Sequence, residues 1–229
     1  MDIRSILDNA VTYVREQGLR GYAETTRATL IDRWCEWRLG IDTSRGETMD
    51  RLGVRDPDAV DYVAIPYAAL TMALRRASPT PDSCFLDYGA GRGRAVVTAA
   101  RHPFRRVIGV ELSPELASAA RANLARAKGL RCRDVVIVEQ NALGFEVPDD
   151  VDLVHFFKPF KGETLRQVLD KLEQSYFRRP RRMTVIFFND QEFSQLAASR
   201  SWLRRVEAGI CLPRTRWPIV WGLYRAGPD

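Results

Sequence analysis

The chain has 229 residues, 45% apolar and 28% charged, with a formal net charge of +6. That is enough for one sizeable domain, or a domain plus a small appendage, of ordinary globular composition. No apolar run approaches the ~20 residues that cross a bilayer, so no membrane partner is expected.

The N-terminal "MDIRSILDNAVTYVREQG" mixes acids with bases and lacks a small-residue cleavage site, so no signal peptide is expected. Ile3, Ile6, Leu7, Ala10, Val11 and Val14 fall at helical spacing, which predicts an amphipathic helix over 2–17. A second helix is predicted over 24–38. Trp34 and Trp37 share one face of it, and aromatics at that spacing are expected to pack on the core. Residues 41–61 hold two glycines and six acids and read as a loop or a lid. Pro66 opens a helix that runs to 77.

From Cys84 onward, short β-rich runs alternate with helical stretches. The strands are CFLDY (84–88), RVIGVE (106–111), DVVIVE (134–139), VDLVHFF (151–157) and MTVIFF (183–188), with helices to about 101, from Ser113 to about 128, and over 161–176. That rhythm implies an α/β fold, doubly wound, with a parallel sheet covered on both faces. RRVEAGICL and RWPIVWGLYRA, joined around Pro213, predict a closing antiparallel hairpin. Cys35, Cys84, Cys132 and Cys211 lie far apart with no C-x-x-C, as expected of reduced thiols in a cytoplasmic protein, and argue against a structural metal.

The discriminating stretch is "CFLDYGAGRGR". A P-loop would need Lys and a hydroxyl residue after the glycines, and nothing after Gly89 supplies them. The dinucleotide fingerprint G-x-G-x-x-G fails by one residue, because Arg94 stands where its third glycine belongs. What remains is Asp87-x-Gly89-x-Gly91-x-Gly93, and this resembles motif I of the class I S-adenosylmethionine-dependent methyltransferases. Their cofactor carries no pyrophosphate for a helix N-terminus to hold; it carries an ammonium and a sulfonium, beside which an acid is favourable.

The resemblance continues along the chain. It implies a seven-stranded, mostly parallel sheet, a methyltransferase domain over 61–229, and an N-terminal helical extension, 1–60, that caps the substrate pocket. Glu111 ends the second strand, 20 residues after Gly91, where a carboxylate can accept from both ribose hydroxyls. "VEQNALGF" is similar to the adenine-binding segment, which assigns Asn141 to the adenine edge and Ala142 to its ring. By the same resemblance Ala90 and Leu112 line the cofactor site. The backbone at Phe157 touches the methionine end, and Tyr62 and Tyr67 in "DYVAIPYAAL" close over it.

Within "VDLVHFFKPF", family members acting on amide or base amines often place Asn or Asp at the position of Lys158. An ammonium cannot accept a hydrogen bond, so "KPF" departs from that pattern. Lys158 is the candidate catalytic residue, with three roles open: holding an acidic substrate group, acting as a base, or pointing to solvent. His155, three residues earlier, is expected on the opposite face as a buried, hydrogen-bonded histidine.

The resemblance implies methyl transfer to an N or O acceptor on a small molecule or a peptide or protein side chain. Lysine side chains are included, since the motifs also look like those of the seven-strand protein-lysine methyltransferases. Residues 161–229 carry 13 bases against 7 acids, with "RRPRR" at 178–182 the densest part. This keeps RNA methylation as an alternative, although 31 Arg against 4 Lys looks more like coding bias than a selected surface. A catalytically silent, cofactor-binding subunit of a heteromeric enzyme is the other alternative.

Overall fold

The computed structural model describes residues 3–189 and 191–227. Seven strands form one sheet: β1 (Cys84–Tyr88), β2 (Arg106–Glu111), β3 (Val135–Glu139), β4 (Leu153–Phe157), β5 (Met183–Phe188), β6 (Arg204–Cys211) and β7 (Ile219–Ala226). Their order is β3-β2-β1-β4-β5-β7-β6. The first five strands run parallel, and β7 runs antiparallel to both β5 and β6. The predicted doubly wound sheet with a closing hairpin is therefore present.

The central strands are buried on both faces, which is why they read as mostly apolar runs. Along β1, Cys84, Leu86 and Tyr88 join a core with Leu165, Leu169 and Leu172, while Phe85 joins one with Leu70, Leu74 and Val96. The first core lies under α5 (Gly162–Arg178) and α6 (Gln191–Ala198). The second lies under α2 (Tyr67–Ala77), α3 (Arg94–Ala100) and α4 (Pro114–Arg126). Helix α6, which buries Phe193 and Ala197, has no counterpart among the predicted elements. Strand order reverses between β1 and β4, so a crevice opens at the carboxyl ends of the strands.

The N-terminal helix α1 (Ile3–Leu39) turns at Gly18, whose φ of 73° breaks it into the two predicted helices. The apolar face predicted along Ile3, Ile6, Leu7, Ala10 and Val11 lies outside the residues whose side chains are described. Before the turn, the Tyr13 hydroxyl accepts from the Arg216 amide (2.8 Å); after it, the Glu24 carboxylate accepts from the Arg214 amide (2.7 Å). Both contacts tie the helix to the β6–β7 turn. Trp34 and Trp37 do not pack on the core: they are 52% and 78% exposed. The helix is rotated the other way because its acidic residues Asp32 and Glu36 face inward, toward a buried arginine.

That arginine is Arg94, the first residue of α3, 3% exposed. A guanidinium has five N–H donors, and five acceptors surround this one. Nε donates to Thr43 Oγ1 (2.7 Å), Nη1 to Asp32 Oδ2 (2.7 Å) and the Ile65 carbonyl (2.9 Å), and Nη2 to Glu36 Oε1 (3.1 Å) and Ser44 Oγ (2.7 Å). The Tyr67 ring lies beneath it, 4.6 Å from centroid to guanidinium carbon. Burial opposes the Glu36 charge, but hydrogen bonds from Thr43 and Ser44 and the Arg94 charge hold its carboxyl below the usual range.

Residues 41–61 are ordered as a strap. Glu47 and Tyr62 exchange backbone hydrogen bonds (3.1 and 2.8 Å), Ala59 bridges Phe160, and Asp58 Oδ2 caps the Thr164 amide at 2.9 Å. No helix among the described residues is long and apolar enough to cross a membrane, and the four cysteines are free.

Removing Arg94 strands two part-buried carboxylates. Arg94→Met should destabilise the protein by about 3–5 kcal/mol in urea unfolding, the usual cost of breaking one side of a buried ion pair. A loss below ~1 kcal/mol, the size of a surface pair, would show that the network contributes little.

Candidate functional site

A cleft, open at its mouth, lies at the carboxyl ends of β1, β2 and β4, with the strap as its far wall. This is the position expected of a ligand site in an open α/β sheet. Its floor is the turn after β1. The Gly89 and Ala90 amides both donate to the Val110 carbonyl (2.9 Å each), which folds the turn back over β2. At two points a side chain is impossible. A Cβ on Gly89 would stand 2.3 Å from Pro159 Cβ, and one on Gly91 would stand 2.0 Å from the Tyr62 ring. Both glycines also have positive φ.

Glu111, at the end of β2, braces this turn. Its Oε2 accepts the Gly91 amide (2.7 Å) and its Oε1 the Ser113 amide (2.9 Å), leaving each oxygen a further lone pair. Burial raises its pKa, and those backbone bonds offset the rise only in part. Asp87 sits in the same cleft, 2% exposed, with Oδ1 2.7 Å from His155 Nδ1. Burial pushes its carboxyl upward too, against the pull of His155. Two buried carboxylates in one cleft make a negative floor, suited to a cationic ligand.

The structure brings most of the singled-out residues to this cleft. Asp87, Gly89, Ala90, Glu111 and Leu112 lie in the middle, between Asn141 and Ala142 after β3 and Phe157 and Lys158 at the end of β4, and Tyr62 also lines the cleft. Asn141 Oδ1 accepts the Leu143 amide (2.8 Å), which sets the turn after β3. Tyr62 donates its hydroxyl to the Thr43 carbonyl (2.8 Å), and burial raises its pKa well above the tyrosine range. Lys158 is exposed at the rim, its backbone in the left-handed region with φ 47°. Gly91 shapes the turn beneath the Tyr62 ring, and Gly93 packs on Ala120.

Tyr67 is not brought to the cleft. Its amide donates to Asp32 Oδ1 (3.0 Å) and its ring supports Arg94. His155 is buried and hydrogen-bonded, as expected, and is itself part of the cleft wall. The strap residues Met49, Asp56 and Val60 also line the cleft. No motif singled them out; only the run of polar and turn-forming residues between two helices marked the strap.

A nucleoside bearing a sulfonium and an ammonium fits this donor set. Glu111 retains lone pairs for hydroxyl groups, Ala142, Val110 and Leu116 offer apolar contact, and Asp87 offers a charge to a cation. Among the described residues no group of three or more His, Cys, Asp or Glu could hold a metal ion.

Comparison with known proteins gives a consistent result. The sequence profile of a family described as "Methyltransferase domain" matches residues 85–175. No curated protein sequence matches the chain. Among solved structures, the fold is similar to the N-methyltransferase NodS from Bradyrhizobium japonicum, with a TM-score of 0.57 and 14% identity over 70% of this chain and 96% of that one. It is also similar to an RNA methyltransferase from Salinibacter ruber in complex with S-adenosyl-L-homocysteine (TM-score 0.54, 18% identity, 73% of this chain and 95% of that one). A third is a SAM-dependent methyltransferase from Aquifex aeolicus (TM-score 0.55, 12% identity, 69% and 89%). At these identities the likeness is one of fold.

The floor of the cleft makes a prediction about stability. A carboxyl whose folded pKa is raised contributes stability that is fully present below its unfolded value, about 3.9 for Asp, and lost as pH rises through the folded value. Asp87→Asn lacks that loss and can still accept from His155. The variant should therefore match or fall below the wild type near pH 4 and gain on it as pH rises above that value in urea midpoints. A pH-independent difference would contradict the raised pKa.

Proposed function

We propose that the chain, whose residues 85–175 match a methyltransferase-domain profile, is a class I S-adenosylmethionine-dependent methyltransferase, and that the cleft binds the cofactor between the Gly89–Gly93 turn and the segment 157–160. From there the methyl passes to an N or O acceptor on a small molecule or on a peptide or protein side chain. The observation that carries the placement is Glu111. A buried carboxylate at the tip of β2, tied to the Gly91 amide at 2.7 Å, sets the turn and the hydroxyl acceptor as one unit.

In this reading Glu111 receives the ribose hydroxyls, and Asn141, Ala142 and Leu112 surround the adenine. Asp87 and the backbone of Gly89, Ala90 and Phe157 hold the methionine end, with Tyr62 closing over it. Gly91 and Gly93 shape the turn, and Tyr67 is left out of the set. The bound cofactor supplies a methyl on a sulfonium, which transfers by in-line displacement, so the protein's main work is alignment and exclusion of water. Phe160, Pro159, Val60 and Met49 give the mouth the apolar walls that such exclusion needs.

Residues 1–60 act as a cap over a methyltransferase domain of 61–229, because Met49, Asp56, Ala59 and Val60 face the cleft from the strap. Lys158, at the rim, holds an anionic part of the acceptor. Free, dispersed thiols suit a reducing compartment, the cytoplasm.

The arginines that favoured RNA do not favour it in place. Residues 178–182 precede β5 and so lie at the amino ends of the strands, away from the cleft. Arg181 is also spent on the carbonyls of Val151, Ser175 and Arg179, and Arg178 on Asp149. An RNA bound there would not present a base to the transferable methyl.

Glu111→Ala should weaken S-adenosylhomocysteine by about 2–4 kcal/mol, roughly 30- to 900-fold in Kd, for the loss of two charge-assisted hydrogen bonds. Calorimetric titration, with NAD as the control ligand, reads this out, and an unchanged Kd would mean that the site is misplaced. For the substrate, S-adenosylhomocysteine release is followed with small amines, phenols and peptides offered beside an RNA pool. Turnover with RNA alone would replace the proposed substrate class, and none at all would favour the silent-subunit reading. Lys158→Met should raise KM for an anionic acceptor at least tenfold; unchanged kinetics would leave Lys158 a solvent-facing residue.

A further inference from the structure

We propose that His155 is a positioning residue for recognition of the cofactor's ammonium: it fixes the Asp87 carboxylate, ionised and oriented, at the methionine end of the cleft. This rests on the cofactor placement above and goes beyond it, since no part of that placement gives His155 a role.

Three features of the strand pair support it. Asp87 and His155 are register partners on the adjacent parallel strands β1 and β4, so their side chains leave the sheet on the same face and meet at 2.7 Å. The imidazole is held between two rings: Phe85 stacks on it at 6.0 Å and Phe188 meets it edge-on at 5.7 Å. It cannot swing away without disturbing the core. Its other nitrogen, Nε2, is buried with no hydrogen-bond partner among the described residues. A histidine kept only for packing would do better as an apolar residue, since an unmet buried polar atom costs about 1–3 kcal/mol. Its one polar contact is with Asp87, and that is where it acts.

What Asp87 needs from it follows from the neighbouring charge. Glu111 shares the cleft and adds a second negative group. Glu111 has backbone amides to hold its charge, while among the described residues Asp87 has the imidazole N–H alone. Without that donor burial would push the Asp87 carboxyl further upward, and a neutral acid is a poor partner for an ammonium. With it, Oδ1 is engaged and Oδ2 is left to receive the ligand. The other charged or titratable groups that face this end of the cleft are Arg94, already committed to Asp32 and Glu36, Tyr62, Lys158, and Asp56 and Asp61 of the strap.

The test compares two ligands that differ only at the end in question. S-adenosylhomocysteine carries the amino-acid end, and 5′-methylthioadenosine lacks it. His155→Phe, which keeps the ring packing and removes the donor, should weaken S-adenosylhomocysteine at least tenfold at pH 7.5 and leave methylthioadenosine within twofold. It should also move the acid limb of the S-adenosylhomocysteine affinity to higher pH. His155→Asn, whose amide N–H stands near the Nδ1 position, should restore most of the affinity. Should the Phe variant fail to fold, His155→Gln, with its amide displaced toward the Nε2 position, takes its place. Equal weakening of both ligands, or no weakening of S-adenosylhomocysteine, overturns the proposal. So does an Asp87→Asn variant that binds S-adenosylhomocysteine as the wild type does. The placement itself is checked separately: if Glu111→Ala weakens neither ligand, it is the cofactor site that is wrong, and the proposal falls with it.

Discussion

Everything around the cleft is hung on one buried guanidinium. Arg94 begins the helix that follows the glycine turn, and its five donors reach back to Asp32 and Glu36 on α1, to Thr43 and Ser44 at the start of the strap, and to Ile65 at its end. A lysine could not do this, because its ammonium is a point charge without the planar fork. A buried arginine with both charges and all donors met is tolerable only as a complete set. The turn, the strap and the N-terminal helix therefore hold their places together.

The cleft inherits its character from that arrangement. With the strap fixed at both ends, Tyr62 is pressed over Gly91, and Pro159 over Gly89, closely enough that neither glycine could carry a Cβ. The negative floor of Asp87 and Glu111 lies beneath. Two ionisable acids in a buried space cost stability, since burial raises both carboxyl groups above their usual range, while the backbone geometry of the turn is set by the contacts around it.

The strands were legible because their physics is local to the strand. A segment buried on both faces is largely apolar, and CFLDY, RVIGVE and MTVIFF coincide with β1, β2 and β5. The glycine turn was legible because only glycine can stand at Gly89 and Gly91. The role of Arg94 was not, since its acceptors lie 29 to 62 residues upstream and share no spacing rule with it; in the sequence it is only the residue that spoils a dinucleotide fingerprint. The same network explains Trp34 and Trp37. Helical spacing placed them on one face, but the inward pull on Asp32 and Glu36 decided which face meets the core. Tyr67 was drawn to the cleft by its neighbours in sequence, yet in space it belongs to the Arg94 cluster. Helix α6, only eight residues long, is too short for periodicity to stand out.

The bend at Gly18 has a consequence for biosynthesis. Helix α1 is made before its partners: Tyr13 and Glu24 bond to Arg216 and Arg214, some 190 to 203 residues later, while Asp32 and Glu36 await Arg94. The helix thus leaves the ribosome long before these partners exist. Contacts of such sequence separation are slow to form, and domains assemble from the N-terminus as they emerge. Helix α1 can take its place only once the β6–β7 hairpin has been synthesised, and even then Leu19, Leu30 and both tryptophans stay exposed.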